Sequence, residues 1–595
     1  MRHGIVAVKD SHATVCFNRV PNFREVLDCG SPLPLFPREA GDAKRQRAAA
    51  VQDADAPYGN QKCKLISLDM NRQRTSLRIA AFCIAITCLI AAGSTTLSAE
   101  SAGHKTVFNV RDYGATGDGK TLDSPAINQA IVACAAAGGG TVWIPAGTYL
   151  SGSIRLTNNL NLHIDAGATI LAAPANLNAY DPTEEWEGQA YQDGGHTYFQ
   201  NSLIWGVGLT NVSITGRGMI HGKGLTRSSA LFDKMNKFNV WDKPNTPRTN
   251  LPPVRIGNKA IGLKLCRDVL LRDFTIYKGG HFGVLATGCD QLTIDNVTMD
   301  TERDGIDVDC CRNTTIANCR INSPDDDAIC PKSSFALRTN VITENMTIVN
   351  CQVSGFEMGT LLDGTMKPKK NGNGRIKFGT EANGGFRNIT VANCTFRACR
   401  GLALEEVDGG LMENITINNL TMMDVPSYPI YITTGKRNRG PNVTDPSRAR
   451  RIFISNVIAT GCEPMSGIQI TGLPEQPIEG VRLENIWLVF QGGGTKEDAA
   501  RVPKELGTGY PEPRFIGTMP AYGVFARHVR DLELANIRVS FEKEDQRPAM
   551  VCVDVDGLEI DNFKAQLADG VTPARFEDVQ RLVIRNSPVL DGMKP

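Results

Sequence analysis

A short motif centred on an asparagine recurs along the second half of this chain and sets the strongest limit on its fold. Each copy has a run of alternating apolar and polar residues, an Asn and a second short run, as in "MTIVNCQV", "ITVANCTF" and "ITINNLTM". Such alternation is typical of β-strands. The central residues are Asn296, Asn318, Asn350, Asn393, Asn419, Asn456, Asn485, Asn536, Asn562 and Asn586.

The spacing of these motifs varies only upward from a minimum, which is the interval between Asn296 and Asn318. A repeat with a minimum length and a variable excess predicts a solenoid with loops inserted at its turns. We therefore expect an all-β, single-stranded parallel β-helix whose stacked coils bury a continuous column of Ile, Val and Leu. Asn suits the corner because it tolerates left-handed backbone and can hydrogen-bond its equivalent one coil away. A propeller or sandwich is the alternative, and the irregular spacing argues against both.

The segment "RDYGATGDGKTLDSPAINQAIVACAAAGGGTVWIP" differs from the repeats and predicts a helix between two strands. The helix should begin near Asp123 and Pro125 and end at Gly138–Gly140. Its apolar face is formed by Ile127, Ala130, Ile131 and Cys134. We expect this N-terminal capping helix to cover the open end of the solenoid, which would otherwise expose a strand edge.

The first hundred residues contain a second kind of signal. Arg72, Arg74 and Arg78 precede an apolar run, Ile79–Ala92, which is followed by small residues at Leu97–Ala99. This order is typical of a secretory signal peptide, here assigned to residues 70–99, and predicts a secreted or periplasmic protein. Residues 1–69 are interpreted as an upstream segment without structure, with a long disordered leader as the alternative. The folded domain is expected to span residues 100–595.

Charge and cysteine usage exclude several classes of partner. The net charge is +1, with 64 basic and 63 acidic residues, so we expect no nucleic-acid partner. No membrane contact is expected after signal cleavage, and the chain is expected to be a monomer. Cys319, Cys351 and Cys394 each follow a motif Asn, which favours a stack of small buried side chains over disulfides. No C-x-x-C pair occurs, so a zinc site is not expected.

The stretch "DGIDVDCCRNTTIANCRINSPDDDAIC" brings several carboxylates onto neighbouring coils. Asp304 and Asp326 lie the same distance after the equivalent corners Asn296 and Asn318, so we expect them at the same place on adjacent coils, with Asp327 beside them. Like charges held so close raise the pKa of one member. One protonated and one ionised carboxyl are what glycosidic hydrolysis needs. A solvated acidic turn and a calcium site are the alternatives.

These motifs resemble those of glycoside hydrolase family 28, the polygalacturonases and rhamnogalacturonan hydrolases, from residue 106 to residue 590. "RDYGATGDGKTLDSPAINQAI" resembles the N-terminal segment shared by pectin-degrading β-helix enzymes. "ERDGIDVDCCRN" resembles the family's N-T-D-G-I-D, with Glu302-Arg303 in place of Asn-Thr. "DDAICPKS" resembles D-D-C-I-A-I-K-S, aligned through Lys332-Ser333. The resemblance implies the right-handed, pectin-lyase-like form of the parallel β-helix.

The resemblance also implies roles for the acidic residues. Asp326 is the general acid, and Asp304 and Asp327 position and deprotonate the attacking water. A different placement of the alignment gap would make Asp325 and Asp326 the pair. The family inverts anomeric configuration, which suits carboxyl groups separated by about 6.5–9.5 Å. No metal and no other cofactor are implied.

Two departures from the family pattern concern substrate binding. The family's G-H-G has no counterpart with a histidine, and its later R-I-K is replaced by Ala403 and Glu405. A separate "RIK" at Arg375–Lys377 lies one coil earlier and is either a substitute carboxylate-binding site or a solvated strand edge. The candidate substrate-binding residues are His281, Asp307, Asp325, Lys332, Arg375, Lys377, Glu381 and Glu405.

The family resemblance predicts a hydrolase of galacturonic-acid-containing bonds in pectic polysaccharide. The altered cation motifs favour an exo-acting or rhamnogalacturonan-directed enzyme over a plain endo-polygalacturonase. A polysaccharide lyase on the same architecture is one alternative, and a non-catalytic carbohydrate-binding β-helix is the other. Aromatic residues in Gly509–Gly523 are candidates for stacking on sugar, or else they anchor a loop. Arg437 and Arg439 are candidates for contact with an acidic polymer, or else they are exposed without a specific role.

Overall fold

The computed structural model describes residues 105–184, 194–227, 255–465 and 467–594. All of them belong to one compact unit, Ala99–Pro595. The upstream segment 1–69 and the signal peptide 70–99 lie outside the described residues, so both remain predictions. In the ranges that are described, no helix is long and apolar enough to cross a membrane.

The described residues form a 28-stranded sheet and a six-stranded sheet, built from short strands that pair in parallel. The strands of the N-terminal half are β1 Val107–Asn109, β2 Asp118–Leu122, β3 Gly140–Ile144, β4 Gly147–Ser151, β5 Ile154–Arg155, β6 Leu160–Ile164, β7 Ala168–Ala172, β8 Ile204–Val207, β9 Thr210–Thr215, β10 Met219–His221, β11 Lys259–Lys264, β12 Arg267–Arg272, β13 Thr275–Tyr277, β14 Phe282–Thr287, β15 Asp290–Asp295, β16 Thr298–Asp300, β17 Asp304–Asp309, β18 Arg312–Ala317, β19 Arg320–Asn322, β20 Ile329–Lys332, β21 Thr343–Val349 and β22 Gln352–Ser354.

The strands of the C-terminal half are longer, because two arms of a coil often run on through the Asn corner. They are β23 Lys377–Phe378, β24 Phe386–Arg397, β25 Leu402–Glu406, β26 Leu411–Met423, β27 Ile430–Thr434, β28 Arg448–Cys462, β29 Ile468–Thr471, β30 Ile478–Gly492, β31 Val524–Lys543, β32 Met550–Asp561, β33 Lys564–Ala565 and β34 Ala574–Arg585. The helices are α1 Ser124–Ala136, α2 Gly194–Thr197, α3 Lys496–Ala499 and α4 Pro513–Ile516, with 3₁₀ turns at Val110–Tyr113, Ala175–Leu177 and Pro588–Leu590.

The core is a column of apolar side chains in which each coil covers the one before it. Parallel register places one buried residue of each coil directly above its equivalent, because side chains of a strand alternate between the two faces. One such row runs through Ile276, Met299, Ile321, Val353, Phe396, Met422 and Ala459. The predicted all-β parallel β-helix is therefore confirmed.

The motif asparagines form a ladder along one edge of the helix, as predicted. Each has a left-handed backbone, with φ of +59° at Asn318, +57° at Asn419 and +56° at Asn456. From Asn350 to Asn562, each side-chain amide donates to the amide oxygen of the preceding motif Asn, at 2.9 Å from Asn419 to Asn393 and 3.0 Å from Asn456 to Asn419. The amides of Asn296, Asn318 and Asn586 donate instead to the carboxylates of Asp273, Asp295 and Asp561. The ladder provides hydrogen bonds for the Asn side-chain amides at a corner where the left-handed backbone is unfavourable for most residues.

The cysteines that follow the ladder point inward. Cys319, Cys351 and Cys394 are each buried and carry free thiols. Their sulfurs lie near main-chain carbonyl oxygens of their own coils, for example 3.4 Å from Cys351 to Val349. The prediction of small buried side chains at this position is confirmed.

Helix α1 covers the N-terminal end of the column, as expected. Ile127, Ala130, Ile131 and Cys134 are its buried apolar face. Asp123, at the start of the helix, does not cap it but accepts hydrogen bonds from the backbone of Thr116 at 2.7 Å and of Gly117 at 3.1 Å. The same carboxylate therefore holds the glycine-rich turn against the capping helix.

Long insertions at the turns converge on one side of strands β20, β23 and β25. Residues 355–376 follow β22, residues 435–447 follow β27, and residues 493–523 follow β30. Two of them contact the acidic cluster or its neighbours: the Gly374 N–H donates to the Asp326 carbonyl at 2.8 Å, and Glu512 approaches Arg375 at 2.6 Å. These insertions frame the acidic cluster.

The ladder generates a stability prediction. Asn419→Ala should lower the free energy of unfolding by about 2 kcal/mol, since it removes two amide hydrogen bonds and places a Cβ-bearing residue without a compensating amide in left-handed backbone. Asn419→Gly should cost less, because glycine tolerates that backbone. The midpoint of urea unfolding measures both; equal losses for Ala and Gly would contradict the conformational part of the argument.

Candidate active site

The predicted acidic trio comes together where β17 and β20 begin. Asp304 opens β17, and Asp326 and Asp327 precede β20. One carboxylate oxygen from each lies within 4.8 Å of the others. The backbone N–H of Asp327 donates to Asp304 Oδ1 at 3.2 Å, which ties the two coils together at this point.

The register within the trio differs from the prediction. Ile306 pairs with Ile329 and the Gly305 N–H donates to the Asp327 carbonyl at 2.9 Å, so Asp304 faces Asp327 rather than Asp326. The earlier arms of the same coils pair as expected, with Thr298 opposite Arg320. An additional residue in the intervening turn shifts the second arm by one position and turns Asp326 outward. Counting from the Asn corner could not detect it.

The glycine of the D-G-I-D motif has a steric reason. A Cβ at Gly305 would lie 2.5 Å from the carbonyl oxygen of Ala328 and 2.6 Å from a methyl group of Ile321. Only a residue without a side chain lets the two coils approach closely enough for the Asp327 N–H to reach Asp304.

Asp327 is fully buried and held by two cations. Its Oδ1 accepts a hydrogen bond from Arg375 Nε at 2.8 Å, and its Oδ2 forms an ion pair with Lys377. Burial alone would raise the pKa of Asp327, but Lys377 and Arg375 outweigh it and hold that pKa below its usual range. Arg375 and Lys377 are themselves buried, which excludes the solvated strand edge and places both in the site.

Asp304 and Asp326 have contrasting surroundings. Asp304 is 3% exposed, and its burial, followed by the negative charges of Asp307 and Asp326, raises its pKa well above the usual range. The side chain of Asp326 is 25% exposed and pairs with Arg303 at 2.9 Å. Asp326 is therefore the member of the trio that a substrate can reach, while Asp304 and Asp327 lie behind it.

A second ionic network lies alongside the trio. Lys332 Nζ is 3.3 Å from Asp307 and 3.0 Å from Glu381, and all three side chains are buried. Burial raises the pKa of Asp307 to about 7, against the pull of Lys332. In Glu381, Lys332 and Arg437 overcome the effect of burial and hold the pKa below its usual range. These predicted substrate-binding residues are enclosed, so they support the sheet behind the trio.

Arg437 was expected to be exposed, and that expectation is wrong. Only 4% of its side chain is exposed, because it pairs with the buried Asp408 and donates to the Thr380 carbonyl at 2.7 Å. Its guanidinium also lies 5.8 Å from the ring centre of Tyr510. The sequence around Arg437 contains no pattern that indicates an inward-folding loop, so the burial of this side chain could not be predicted.

Glu405 lies at the position where the family has its later cation motif. The preceding outward residue, Ala403, is in register with Lys377, which confirms that Arg375–Lys377 lies one coil earlier. Glu405 is fully buried, neither of its carboxylate oxygens has a hydrogen-bond partner, and Arg375 is 3.8 Å away. Burial raises the pKa of Glu405 to about 8, against the attraction of Arg375 and Lys377. At neutral pH this carboxyl group is mostly protonated.

The last two predicted residues lie beside the cleft. Asp325 is partly exposed and pairs with Arg227 at 3.5 Å and with Lys369, which leaves it outside the buried cluster. His281 precedes Phe282, the partner of Asp304 in the neighbouring strand, so it lies one coil from the trio as predicted. It is buried, and its Nδ1 is 3.0 Å from the Arg227 carbonyl oxygen.

Sequence reasoning missed Arg303, Arg400 and Glu512 as members of the site. Arg303 stands beside Asp326 and was visible as a departure from the family motif. Glu512 reaches the site from the insertion after β30 and is buried against Arg375 at 2.6 Å and Arg400 at 3.0 Å. No local pattern links residue 512 to residue 375, because the contact depends on how the loop folds back.

The calcium alternative does not fit the donor atoms of the trio. Both oxygens of Asp327 already face cationic groups, Arg375 and Lys377, so a calcium ion would have to displace one of them. Calcium takes six to eight oxygen ligands. The arrangement instead provides one accessible carboxyl group and two enclosed ones, which suits proton transfer.

Two family models match overlapping parts of this chain. A family model described as rhamnogalacturonase A/epimerase, pectate lyase-like, matches residues 107–329, and one for a right-handed β-helix region matches residues 259–444. The right-handed, all-β parallel β-helix is thus confirmed, and residues 107–329 are similar to the pectate-lyase-like model.

Individual relatives with similar sequences or structures include polygalacturonases and exopolygalacturonases. An exopolygalacturonase of Platanus acerifolia is 25% identical over 416 residues, covering 65% of this chain and 91% of that protein. A polygalacturonase of Medicago sativa is 24% identical over 405 residues, covering 63% and 80%. The family 28 exopolygalacturonase of Yersinia enterocolitica superposes with a TM-score of 0.53 at 18% identity, covering 80% of this chain and 78% of that one. This chain is thus similar to plant polygalacturonases in sequence, and to a family 28 exopolygalacturonase in fold.

The buried Glu405 generates a pH prediction. Its pKa in the folded protein, about 8, exceeds the ordinary glutamate value of about 4.3. The unfolded chain therefore releases this proton first as the pH rises, and the folded state loses stability between about pH 4.3 and pH 8. Glu405→Gln should remove that contribution, so the wild type should lose stability relative to the variant as the pH rises.

Urea unfolding of both proteins at pH 5 and pH 8 measures the difference. Glu559→Gln, on an exposed strand position, serves as the control and should leave the pH dependence unchanged. A difference between wild type and Glu405→Gln that does not change with pH would contradict the raised pKa.

Proposed function

We propose that this chain is a secreted hydrolase of galacturonic-acid-containing glycosidic bonds in pectic polysaccharide, acting from a chain end. The observation that carries the proposal is the trio of Asp304, Asp326 and Asp327, of which only Asp326 faces the cleft. The names of the relatives, polygalacturonase and exopolygalacturonase, support the substrate class. Secretion rests on the predicted signal peptide.

The proposed chemistry follows from the different surroundings of the three carboxyl groups. Asp326 donates a proton to the oxygen of the leaving sugar, which it can approach because it is at the mouth of the cluster. Asp327 stays ionised, since Arg375 and Lys377 stabilise its charge, and it positions a water molecule together with Asp304. The water attacks the anomeric carbon as the bond to the leaving oxygen breaks, and it gives a proton to Asp327. The negative charge of Asp327 also stabilises the positive charge that develops on the sugar ring.

Exo-acting cleavage is supported by the way the insertions enclose the site. Residues 493–523 bring Glu512 onto Arg375, and residues 435–447 bring Arg437 onto Asp408. Insertions that contact the residues around a site favour binding of a chain terminus over an internal segment. Arg375, which binds Asp327, and Arg400, which shares Glu512 with Arg375, suit the carboxylate of a uronic acid.

A lyase reaction is less compatible with these contacts. It needs an accessible base to remove the proton next to a carboxylate, whereas Lys377 and Arg375 are buried and committed to Asp327. A lyase would leave unsaturated sugar ends that absorb ultraviolet light. A non-catalytic carbohydrate-binding protein would have no use for a buried carboxylate held ionised beside an accessible one.

Substitution of the trio tests the assignment. With homogalacturonan and rhamnogalacturonan I as substrates, Asp326→Asn and Asp327→Asn should each reduce turnover by about 10²- to 10⁴-fold, because proton transfer and water activation are lost. Asp325→Asn should reduce it far less, since Asp325 lies outside the buried cluster. Mass spectrometry and ultraviolet absorbance identify the products: free galacturonic acid is expected. Unsaturated ends, or no turnover of either polymer, would contradict the proposal.

The stereochemical outcome is a separate prediction. We expect inversion, because both oxygens of Asp327 face cations and Asp304 is buried, so neither is available as a nucleophile. The approach of carboxylate oxygens to within 4.8 Å instead resembles the shorter spacing of retaining enzymes. Proton NMR of the first product formed from an α-linked substrate decides: the β-anomer indicates inversion, and the α-anomer would refute our argument.

A further inference from the structure

The insertion between β30 and β31, Gly493–Gly523, reaches Arg375 and Arg400 through Glu512 and is called the cover segment here. It contains the short helices α3 and α4, and β30 and β31 pair in register on either side of it. Its base is anchored by Arg527, which donates to the carbonyl oxygens of Pro503 at 2.7 Å and Lys504 at 2.9 Å. Beyond this anchor the segment crosses to the catalytic coils.

At the far end of the cover segment, a carboxylate occupies a site made by two arginines. Glu512 Oε1 accepts from Arg375 Nη2 at 2.6 Å, and its Oε2 accepts from Arg400 Nη1 at 3.0 Å. Glu512 is 6% exposed, so its charge is largely removed from water. Such two-sided binding by guanidinium groups is the usual way in which proteins recognise a carboxylate.

The same arginine faces the catalytic carboxylate. Arg375 donates through Nε to Asp327 at 2.8 Å and through Nη2 to Glu512. Asp327 belongs to the stacked coils, whereas Glu512 is supplied by the insertion. Withdrawal of Glu512 would leave Arg375 and Arg400 without their shared anion, next to the catalytic trio.

Under the cover segment lie polar groups that lack hydrogen-bond partners. Both carboxyl oxygens of Glu405, the hydroxyl of Tyr431 and both amide atoms of Gln469 are buried and unpartnered. Tyr431 and Gln469 are directly in register on successive coils, and Ile516 of the cover segment packs against the cluster formed by Ala403, Tyr428 and Tyr431. Buried polar groups are costly when unsatisfied. Hydroxyl groups of a sugar would satisfy them.

We propose that Arg375 and Arg400 form a carboxylate-binding subsite, which Glu512 occupies in the free protein. A uronic acid residue of the substrate displaces Glu512 and binds there. The cover segment then moves away and the sugar hydroxyls meet Glu405, Tyr431 and Gln469. This inference rests on the proposed function for its substrate class. It adds that the enzyme carries its own competitor for the substrate carboxylate, and that binding is coupled to movement of the cover segment.

Binding of galacturonic acid tests the proposal without requiring turnover. Glu512→Gln should bind galacturonic acid at least about tenfold more tightly than wild type by calorimetry, because the internal carboxylate no longer competes for two charge-assisted hydrogen bonds. Neutral galactose should bind equally to both proteins. Glu497→Gln, in α3 of the same segment, is the matched control and should bind like wild type. Unchanged or weaker binding of galacturonic acid by Glu512→Gln would show that Glu512 is a fixed wall of the site.

Hydrogen exchange of the wild-type protein provides a second measurement that needs no variant. Saturating galacturonic acid should accelerate amide exchange in residues 505–517, because Glu512 leaves its arginines, and galactose should not. Slower or unchanged exchange in those residues would overturn the displacement. Both experiments measure binding and do not depend on turnover. If the protein hydrolyses neither polymer, the proposed function is refuted, but the two binding results still test the subsite.

Discussion

The register between successive coils is the constraint on which the rest of this protein depends. Parallel pairing places each residue above its equivalent, so the apolar rows, the Asn ladder and the acidic trio all follow from one alignment. A shift of one residue would turn every side chain of a strand to the opposite face. The single additional residue before β20 is an example of this effect. Because of it, Asp327 and not Asp326 lies opposite Asp304.

Electrostatic contrast within that register makes the acidic trio chemically useful. Three carboxylates on adjacent coils would repel one another strongly if their surroundings were alike. Here Arg375 and Lys377 hold Asp327 as an anion, burial favours the protonated form of Asp304, and Asp326 remains partly in water. The cations come from the coil after β20, so the site requires three coils to be stacked before it exists.

Features that depend on short-range pattern could be predicted from the sequence, and those that depend on loop folding could not. The Asn ladder, the capping helix and the convergence of the three aspartates each follow from residues within one or two coils. The alignment of Asp304 with Asp327 required knowledge of a turn, and the burial of Arg437 depended on how its loop packs. Glu512 meets Arg375 across a long stretch of chain, and no periodicity marks that contact.

The placement of the insertions has a consequence for how such a protein can evolve. β30 and β31 stay in register although the chain leaves the helix for the whole of Gly493–Gly523 between them. The length of an inserted loop thus does not affect the pairing of the stacked coils. Mutation can lengthen, shorten or replace a turn without disturbing the packed interior, so new substrate preferences can arise on an inherited catalytic framework at little risk to foldability.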